Sequence, residues 1–267
     1  MSTTVTDAFR RGDLAGAIAA AQAAVKAAPL DQSARWLLAE LLLFAGEAER
    51  ADRILDAVAL DRPFPALLEF RRLLRAEVIR GQVWHEGRAP KFQGGDATPA
   101  QRAALRALVS ARMNDPEGAA AAAAEAEELR PRAPGRCETA DGTSFAFEDF
   151  RDADDLMAPN LEVLTTAGDH LLVPVERVRE LRFDAPKRPR DLAWRRCAIE
   201  LKDGTEGVVY MPAIYPWRGE EVPVEAKLGR VTTWSEGPGP VRGAGQRVFL
   251  AGERDPALGE IAALRFA

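Results

Sequence analysis

The chain has 267 residues, of which 47% are hydrophobic and 29% charged, and 41 acidic against 36 basic residues give a net charge of −5. This is the composition of an ordinary folded protein, without the basic excess that nucleic-acid binding normally requires. Two cysteines and two histidines are too few for a disulfide scaffold, a cysteine-based zinc site or a multi-histidine metal site.

The first half carries a repeat with a period of 34 residues. The two matching series are Gly12, Ala17, Ala24 and Pro29, then Gly46, Ala51, Val58 and Pro63. Glycine permits a tight turn between antiparallel helices, small residues let the helices approach, and proline ends the second helix. This period and pattern are typical of tetratricopeptide repeats. A degenerate third match places Asn114, Ala119 and Pro131 at the same positions, whereas Gly81 falls one residue late for the unit between.

The remaining helices of this half are predicted from apolar spacing and from breakers. One helix begins near Asp31, and a longer one follows Pro63. Residues 87–98 are rich in glycine and proline and predict a loop, after which Pro99–Met113 and Pro116–Arg130 predict two more helices.

The second half changes period near residues 131–135, where short apolar runs begin to alternate with turn residues. The predicted strands are Ser144–Phe147, Leu161–Thr166, His170–Val173, Val178–Phe183, Cys197–Leu201, Gly207–Met211, Val231–Trp234, Arg247–Leu250 and Ile261–Phe266. Residues 167–169 and 202–205 predict hairpin turns. We therefore expect an α+β fold in two parts: a tetratricopeptide-like helical domain over residues 1–133 and a β-rich, antiparallel, barrel-like domain over residues 134–267.

Several motifs, in order along nearly the whole chain, resemble the ImpE/TagJ family. They are FAGE (44–47), ERAD (49–52), FRRLLRAE (70–77), EGRAP (86–90), RDLAW (190–194), MPAIYP (211–216), LGRVTTW (228–234) and GQR (245–247). The resemblance implies a cytoplasmic adaptor of a bacterial type VI secretion system. Such an adaptor binds the N-terminal helix of the small sheath subunit, near the AAA+ unfoldase that recycles contracted sheath.

Stacked helix pairs form a concave surface lined by the first helix of each pair. The repeat register predicts a partner-binding groove there, made of Trp36, Glu40, Leu43, Leu67, Phe70, Leu74 and Glu77. An apolar stripe with two carboxylates on its rim suits an amphipathic helix that carries Lys or Arg on its flank. The alternative is that Trp36, Phe70 and Leu74 pack against the second half of the same chain, because large apolar residues are usually core.

The polar motifs of the second half favour structural roles. Asp191, Trp194, Tyr215, Arg230, Trp234, Gln246 and Arg247 are predicted to organise loops through buried ion pairs and backbone hydrogen bonds. His170 is interpreted as the first residue of a strand. The acidic stretch 148–155 lacks calcium-loop spacing and is interpreted as a solvated turn or helix start.

We expect a cytoplasmic, non-enzymatic adaptor with a protein partner, without a cofactor, metal, nucleic acid or membrane insertion. Scarce histidine, the lack of a lysine-bearing phosphate loop and the lack of a nucleophile motif argue against an enzyme. The start of the sequence has no apolar signal core, and no stretch approaches 18 uncharged apolar residues. The alternative function is a small hydrolase or ligand-binding module that uses the 148–155 carboxylates.

Overall fold

A computed structural model describes residues 3–61, 64–219 and 221–267. Helices fill the first half of the chain. Their bounds are α1 Thr3–Arg10, α2 Leu14–Ala27, α3 Gln32–Phe44, α4 Ala48–Asp61, α5 Pro65–Gly81, α6 Pro99–Arg112 and α7 Pro116–Leu129. The two short helices α8 Arg190–Ala193 and α9 Val224–Lys227 lie in the second half.

The predicted repeat positions have the geometry of tetratricopeptide turns. Gly12 and Gly46 have φ of +82° and +74°, a conformation that glycine adopts without strain. Ala17 and Ala51 are fully buried, so a larger side chain would push neighbouring helices apart. The tetratricopeptide-like character of the helical half is thus confirmed; Pro63, predicted to close the second unit, lies outside the described residues.

Two positions of the third match have the same local geometry, whereas the helix before them continues through the expected turn. Asn114 has φ of +57° in the turn between α6 and α7, where it is the one non-glycine residue with positive φ among those described. Ala119 is fully buried. Helix α5, by contrast, passes through Gly81 into a π-helical turn over Gln82–Glu86, which ends at Gly87 with φ of +85°.

Thirteen strands are present in the described part of the chain, all but one of them in the second half. They are β1 Lys91–Phe92, β2 Gly135–Thr139, β3 Ser144–Phe147, β4 Phe150–Asp152, β5 Asn160–Thr165, β6 His170–Pro174, β7 Val178–Phe183, β8 Trp194–Leu201, β9 Glu206–Pro212, β10 Thr232–Trp234, β11 Gly243–Gly245, β12 Phe249–Ala251 and β13 Ile261–Phe266. Each of the nine predicted strands is confirmed, within a few residues at its ends. Four strands were not predicted: β1, β2 and β11 lie in segments rich in glycine and proline, and β4 lies in the acidic stretch.

The main sheet is open, so the expectation of a barrel is wrong. Its strand order is β1-β6-β5-β9-β8-β7-β13-β2-β3, and among the described residues the end strands β1 and β3 do not pair. Every pair is antiparallel except β1 with β6. The pair β4–β12 supplies the apolar cover instead, since Phe150 stacks on Phe249 at 4.9 Å and meets Phe266 of β13 edge-on at 5.4 Å between ring centroids.

The helical and β-rich halves share one apolar core. Trp194, Tyr210 and Ile214 from the second half pack with the buried residues of α3 and α5. Trp84, in the π-helical turn, packs with Leu156 beneath the sheet. The concave face of the repeats is therefore turned towards the β-rich half.

Candidate functional site: the concave face of the helical repeats

The β-rich half covers most of the predicted groove. Leu67, Phe70 and Leu74 are fully buried, and Trp194 meets Phe70 edge-on at 6.1 Å between centroids. This is the intramolecular packing that the sequence left as the alternative. A role in partner binding stays a prediction for all seven residues. The surface that the β-rich half leaves open determines which of them a partner can reach.

Leu43 and Glu77 line a cleft of about 430 Å³, whose opposite wall contains Ile214 and Trp217. The Glu77 carboxylate accepts hydrogen bonds from Trp194 Nε1 at 2.9 Å and from Arg80 Nη1 at 2.7 Å. Glu77 therefore joins the two halves of the protein.

Trp36 and Glu40 lie at the end of the groove that stays open. A cleft of about 590 Å³ opens there between α1–α3, the start of α5 and the loop before α8. Its walls are Val5, Ala21, Ala24, Asp31, Gln32, Ser33, Ala34, Trp36, Leu37, Glu40, Phe64, Ala66, Lys187, Arg188 and Pro189. Phe64 is 36% exposed and stacks on Trp36 at 5.9 Å between centroids, so the cleft presents an aromatic surface.

The polar groups of this open end come from both halves. Trp36 Nε1 donates to Glu40 Oε1 at 2.8 Å, and Arg188 Nε lies 2.5 Å from the same oxygen. The Arg188 guanidinium carbon is 4.7 Å from the centroid of the Trp36 ring. Arg190 lies 5.4 Å from the same ring and 4.7 Å from the centroid of Phe70.

Burial governs the charges of this cluster. It raises the pKa of Glu40 above its ordinary value, and Arg188 opposes the shift. Burial and the neighbouring Arg188 lower the pKa of Arg190, whose Nε and Nη1 are buried without a hydrogen-bond partner. Lys187 and Arg188 are exposed, so the rim of the cleft carries positive charge above a buried carboxylate.

A second cluster, fully buried, ties the helical half to the sheet. Glu162 of β5 accepts from His170 Nε2 at 2.8 Å, and it pairs with Arg80 Nε at 3.0 Å and with Arg247. Burial alone would raise the pKa of Glu162, but Arg80 and Arg247 outweigh it and hold that pKa well below the ordinary value. Every charge in this cluster has a partner, which is the arrangement expected of a structural ion-pair network.

The centre of the acidic stretch 148–155 is buried, although Glu148 at its start is exposed, so its interpretation as a solvated turn or helix start is wrong. Its residues 150–152 form β4, and Asp152 and Asp154 are fully buried. Asp152 Oδ2 lies 3.2 Å from Arg247 Nη1, and Asp154 Oδ2 accepts from Arg242 Nε at 2.9 Å. Because these carboxylates already have partners, the structure gives no support to a hydrolase that would use them.

The other predicted loop residues make structural contacts. Asp191 Oδ2 accepts from the backbone amides of Lys187 and Arg188, and Arg230 donates to the carbonyl oxygen of Phe9. The Gln246 backbone amide donates to Val231. Tyr215 OH hydrogen-bonds Asp152 Oδ1 at 2.8 Å, and Trp234, 40% exposed, meets the Tyr215 ring edge-on. His170 begins β6, as predicted, and is buried.

No group of three or more His, Cys, Asp and Glu side chains in the described ranges is arranged to hold a metal ion. No helix within the same ranges is both long and apolar enough to cross a membrane.

Comparison with known proteins identifies the family. A family model described as "ImpE protein" matches residues 144–265, and a tetratricopeptide repeat model matches residues 8–74. The chain is 31% identical over 262 residues to the Pseudomonas aeruginosa protein named "Type VI secretion system accessory component TagJ", covering 97% of this chain and 89% of that one. The chain belongs to the ImpE/TagJ family.

A solved structure extends this result to the whole fold. The crystal structure of a Vibrio parahaemolyticus protein, 27% identical in sequence, superposes with a TM-score of 0.89 and covers 99% of this chain and 98% of that one. The ImpE/TagJ fold of this chain thus combines the helical repeats and the open sheet.

Sequence reasoning missed Phe64 and Arg188 at the open end of the groove. Phe64 lies between two prolines, outside the repeat positions that were counted. Arg188 stands in the segment KRPR (187–190), whose last residue begins the RDLAW motif, and this concentration of basic residues is the signal that could have indicated it.

Proposed function

We propose that this ImpE/TagJ protein is a non-enzymatic adaptor of a bacterial type VI secretion system, which binds an amphipathic helix of the small sheath subunit. The name of the Pseudomonas aeruginosa relative supports the secretion-system role, and the tetratricopeptide match supports protein binding. A cytoplasmic location follows from the proposed role.

One observation supports the site: the open cleft of about 590 Å³ at the end of the repeat groove. Trp36, Leu37 and Phe64 offer it an apolar wall, and a helix with an apolar face can lie against such a wall. The covered residues Leu67, Phe70 and Leu74 then act by holding α5 in place rather than by contacting the partner.

Phe64→Ala tests this site most directly, because the side chain is partly exposed and its loss spares the core. We expect the variant to bind a peptide of the N-terminal helix of the small sheath subunit roughly ten- to hundredfold more weakly, about 1–3 kcal/mol. Isothermal titration calorimetry measures the dissociation constant. Met113→Ala, which removes a 75% exposed apolar side chain outside the cleft, is the matched control.

Unchanged affinity of a folded Phe64→Ala variant would place the binding site elsewhere, with the β-rich half as the next surface to test. Trp36→Ala is less informative because Trp36 is buried beside Phe70, so its melting temperature must be measured alongside its affinity.

We propose the AAA+ unfoldase that recycles contracted sheath as a second partner, a role supported by the family resemblance. Co-purification of the unfoldase with the adaptor, in the presence and absence of the small sheath subunit, tests this link. Recovery of the unfoldase only when the sheath subunit is present would restrict the adaptor to a single direct partner.

A further inference from the structure

The side chain of Arg188 occupies the open cleft as a bound cation would. Its Nε lies 2.5 Å from Glu40 Oε1, and its guanidinium carbon lies 4.7 Å from the centroid of the Trp36 ring. A charge-assisted hydrogen bond to a carboxylate and a stack on an indole are the two contacts that an Arg or Lys of a docked helix would make. The protein's own chain therefore satisfies the position predicted for a basic side chain of the partner.

The Arg188 side chain can leave this position while its loop stays in place. Its side chain is 41% exposed, and in the described part of the chain Glu40 is the one carboxylate with which it pairs. Residues 184–188 are all exposed. Asp191 holds the backbone amides of Lys187 and Arg188, so the loop keeps an anchor when the Arg188 side chain leaves. Because the guanidinium is partly exposed, it returns to solvent when it leaves, and the main cost of its displacement is the countercharge that Glu40 loses.

The charged form of Glu40, in contrast, is stabilised by a nearby cation. The residue is 1% exposed, and its neutral hydrogen-bond donor is Trp36 Nε1. A buried carboxylate without a countercharge is costly, because desolvation is not offset. Arg190 also acts on Glu40 through its charge, but its own ion pair is with Asp191. A partner that displaces Arg188 therefore restores the countercharge of Glu40 best by supplying a positive charge of its own.

We propose that Arg188 is an internal stand-in for a basic side chain of the partner helix, so that binding exchanges one cation for another on Glu40 and Trp36. The inference rests on the proposed function and deepens it. The Arg188 side chain is then an autoinhibitory contact. A helix that carries Arg or Lys in register with its apolar face can displace Arg188, whereas a helix without such a residue binds less readily.

The test compares four forms of the full chain: the wild type, Arg188→Ala, Lys187→Ala and the double variant Arg188→Ala with Glu40→Gln. The probes are the peptide of the N-terminal helix of the small sheath subunit and the same peptide with its basic residues replaced by norleucine. Lys187 is the matched control, since it lies in the same exposed loop and has no ion pair among the described residues. Melting temperatures establish that each form is folded.

Removal of the internal competitor should tighten binding of the native peptide about three- to tenfold in Arg188→Ala, and by less in Lys187→Ala, which removes a rim charge without freeing Glu40. An equal gain in both variants would mean that rim charge alone is responsible, and would overturn the proposal. The norleucine peptide should bind Arg188→Ala no more tightly than the wild type, because this peptide cannot pair with Glu40. The double variant should not bind the native peptide more tightly than the wild type, because it lacks the Glu40 carboxylate.

Three outcomes separate the two proposals. Equal or weaker binding of the native peptide by folded Arg188→Ala, with normal wild-type binding, overturns the stand-in and leaves the proposed function intact. An equal gain for both peptides also overturns it, because the effect would then be steric. Absence of binding to every form overturns the proposed function and the stand-in together.

Discussion

The indole Nε1 of Trp194, at the start of β8, donates a hydrogen bond of 2.9 Å to the carboxylate of Glu77 in α5. The bond joins the two halves of the protein across 117 residues of sequence, in the middle of the groove that the repeats form. The same indole packs edge-on against Phe70, so the groove is closed at this point by aromatic packing and by a polar contact together.

Trp194→Ala should reduce the free energy of unfolding by about 3–5 kcal/mol, because it leaves a cavity between the halves. Trp194→Phe, which keeps part of the ring packing and loses the hydrogen bond, should cost less than Trp194→Ala but more than the roughly 0.5–1.5 kcal/mol of the hydrogen bond alone. Urea denaturation measures both values. Trp234→Ala is the control, since that indole is 40% exposed, and a loss as large as that of Trp194→Ala would contradict the assignment.

Glu162→Gln should be strongly destabilising, because it removes the buried carboxylate that Arg80 and Arg247 share. Within the described part of the chain it leaves each of them with a single acidic partner, Glu77 and Asp152 respectively. Breaking a buried ion pair on one side costs about 3–5 kcal/mol. The exposed pair Lys91–Asp169 gives the comparison: Asp169→Asn should cost less than about 1 kcal/mol. Urea denaturation at pH 7 measures both, and similar losses would mean that the network contributes no more than a surface ion pair.

The lowered pKa of His85 predicts that the free energy of unfolding depends on pH. Burial, together with nearby arginines such as Arg80 and Arg218, lowers the pKa of His85 to about 4, whereas an unfolded histidine has a pKa of about 6.5. Between these values the unfolded state binds the proton more readily, so the free energy of unfolding should decrease as the pH falls from 6.5 towards 4. Asp152 acts in the opposite direction, because burial raises its pKa to about 7.

The difference between the wild type and His85→Gln isolates the histidine, because both proteins share the Asp152 effect. We expect this difference in the free energy of unfolding to change with pH between 6.5 and 4 and to level off above 7. Titration of the imidazole signals by NMR gives the pKa itself. A ring that titrates near 6.5 would refute the prediction.

Gly46→Ala should destabilise the protein more than Gly204→Ala. Both glycines have positive φ, +74° and +86°, so each alanine bears backbone strain of roughly 1–2 kcal/mol. A Cβ at position 46 would also lie 3.0 Å from the Trp217 ring, whereas nothing lies within 4 Å at position 204. Thermal denaturation measures the loss of stability in each variant, and the difference between the two losses is due to Trp217. Equal losses would show that Trp217 moves aside freely.

The boundary at residues 133 and 134 stays a prediction, which a fragment of residues 1–133 can test. Circular dichroism of the fragment should be strongly helical, since α1–α7 lie within it. Its melting temperature should be lower than that of the full chain, because Phe70 and Trp36 lose the cover of Trp194 and Arg190. A predominantly β spectrum would contradict the division.

Sequence alone was sufficient for the features that depend on near neighbours. The 34-residue period, the turn residues Gly12, Gly46 and Asn114, and the hairpin glycines Gly168 and Gly204 follow from backbone conformations that few residues adopt. The strands were recognisable wherever apolar runs stood between turn residues. The open form of the main sheet was not, because closure depends on how distant strands pair rather than on the composition of each strand.

The tertiary structure decided which surfaces are covered. Trp36 and Phe70 were equally compatible with a partner and with the protein's own sheet, since an apolar side chain does not encode what buries it. Asp152 looked solvated because its partner Arg247 lies 95 residues further along the chain. The cation on Glu40 likewise comes from the other half of the molecule, in Arg188, because burial and ion pairing are set by contacts between distant segments.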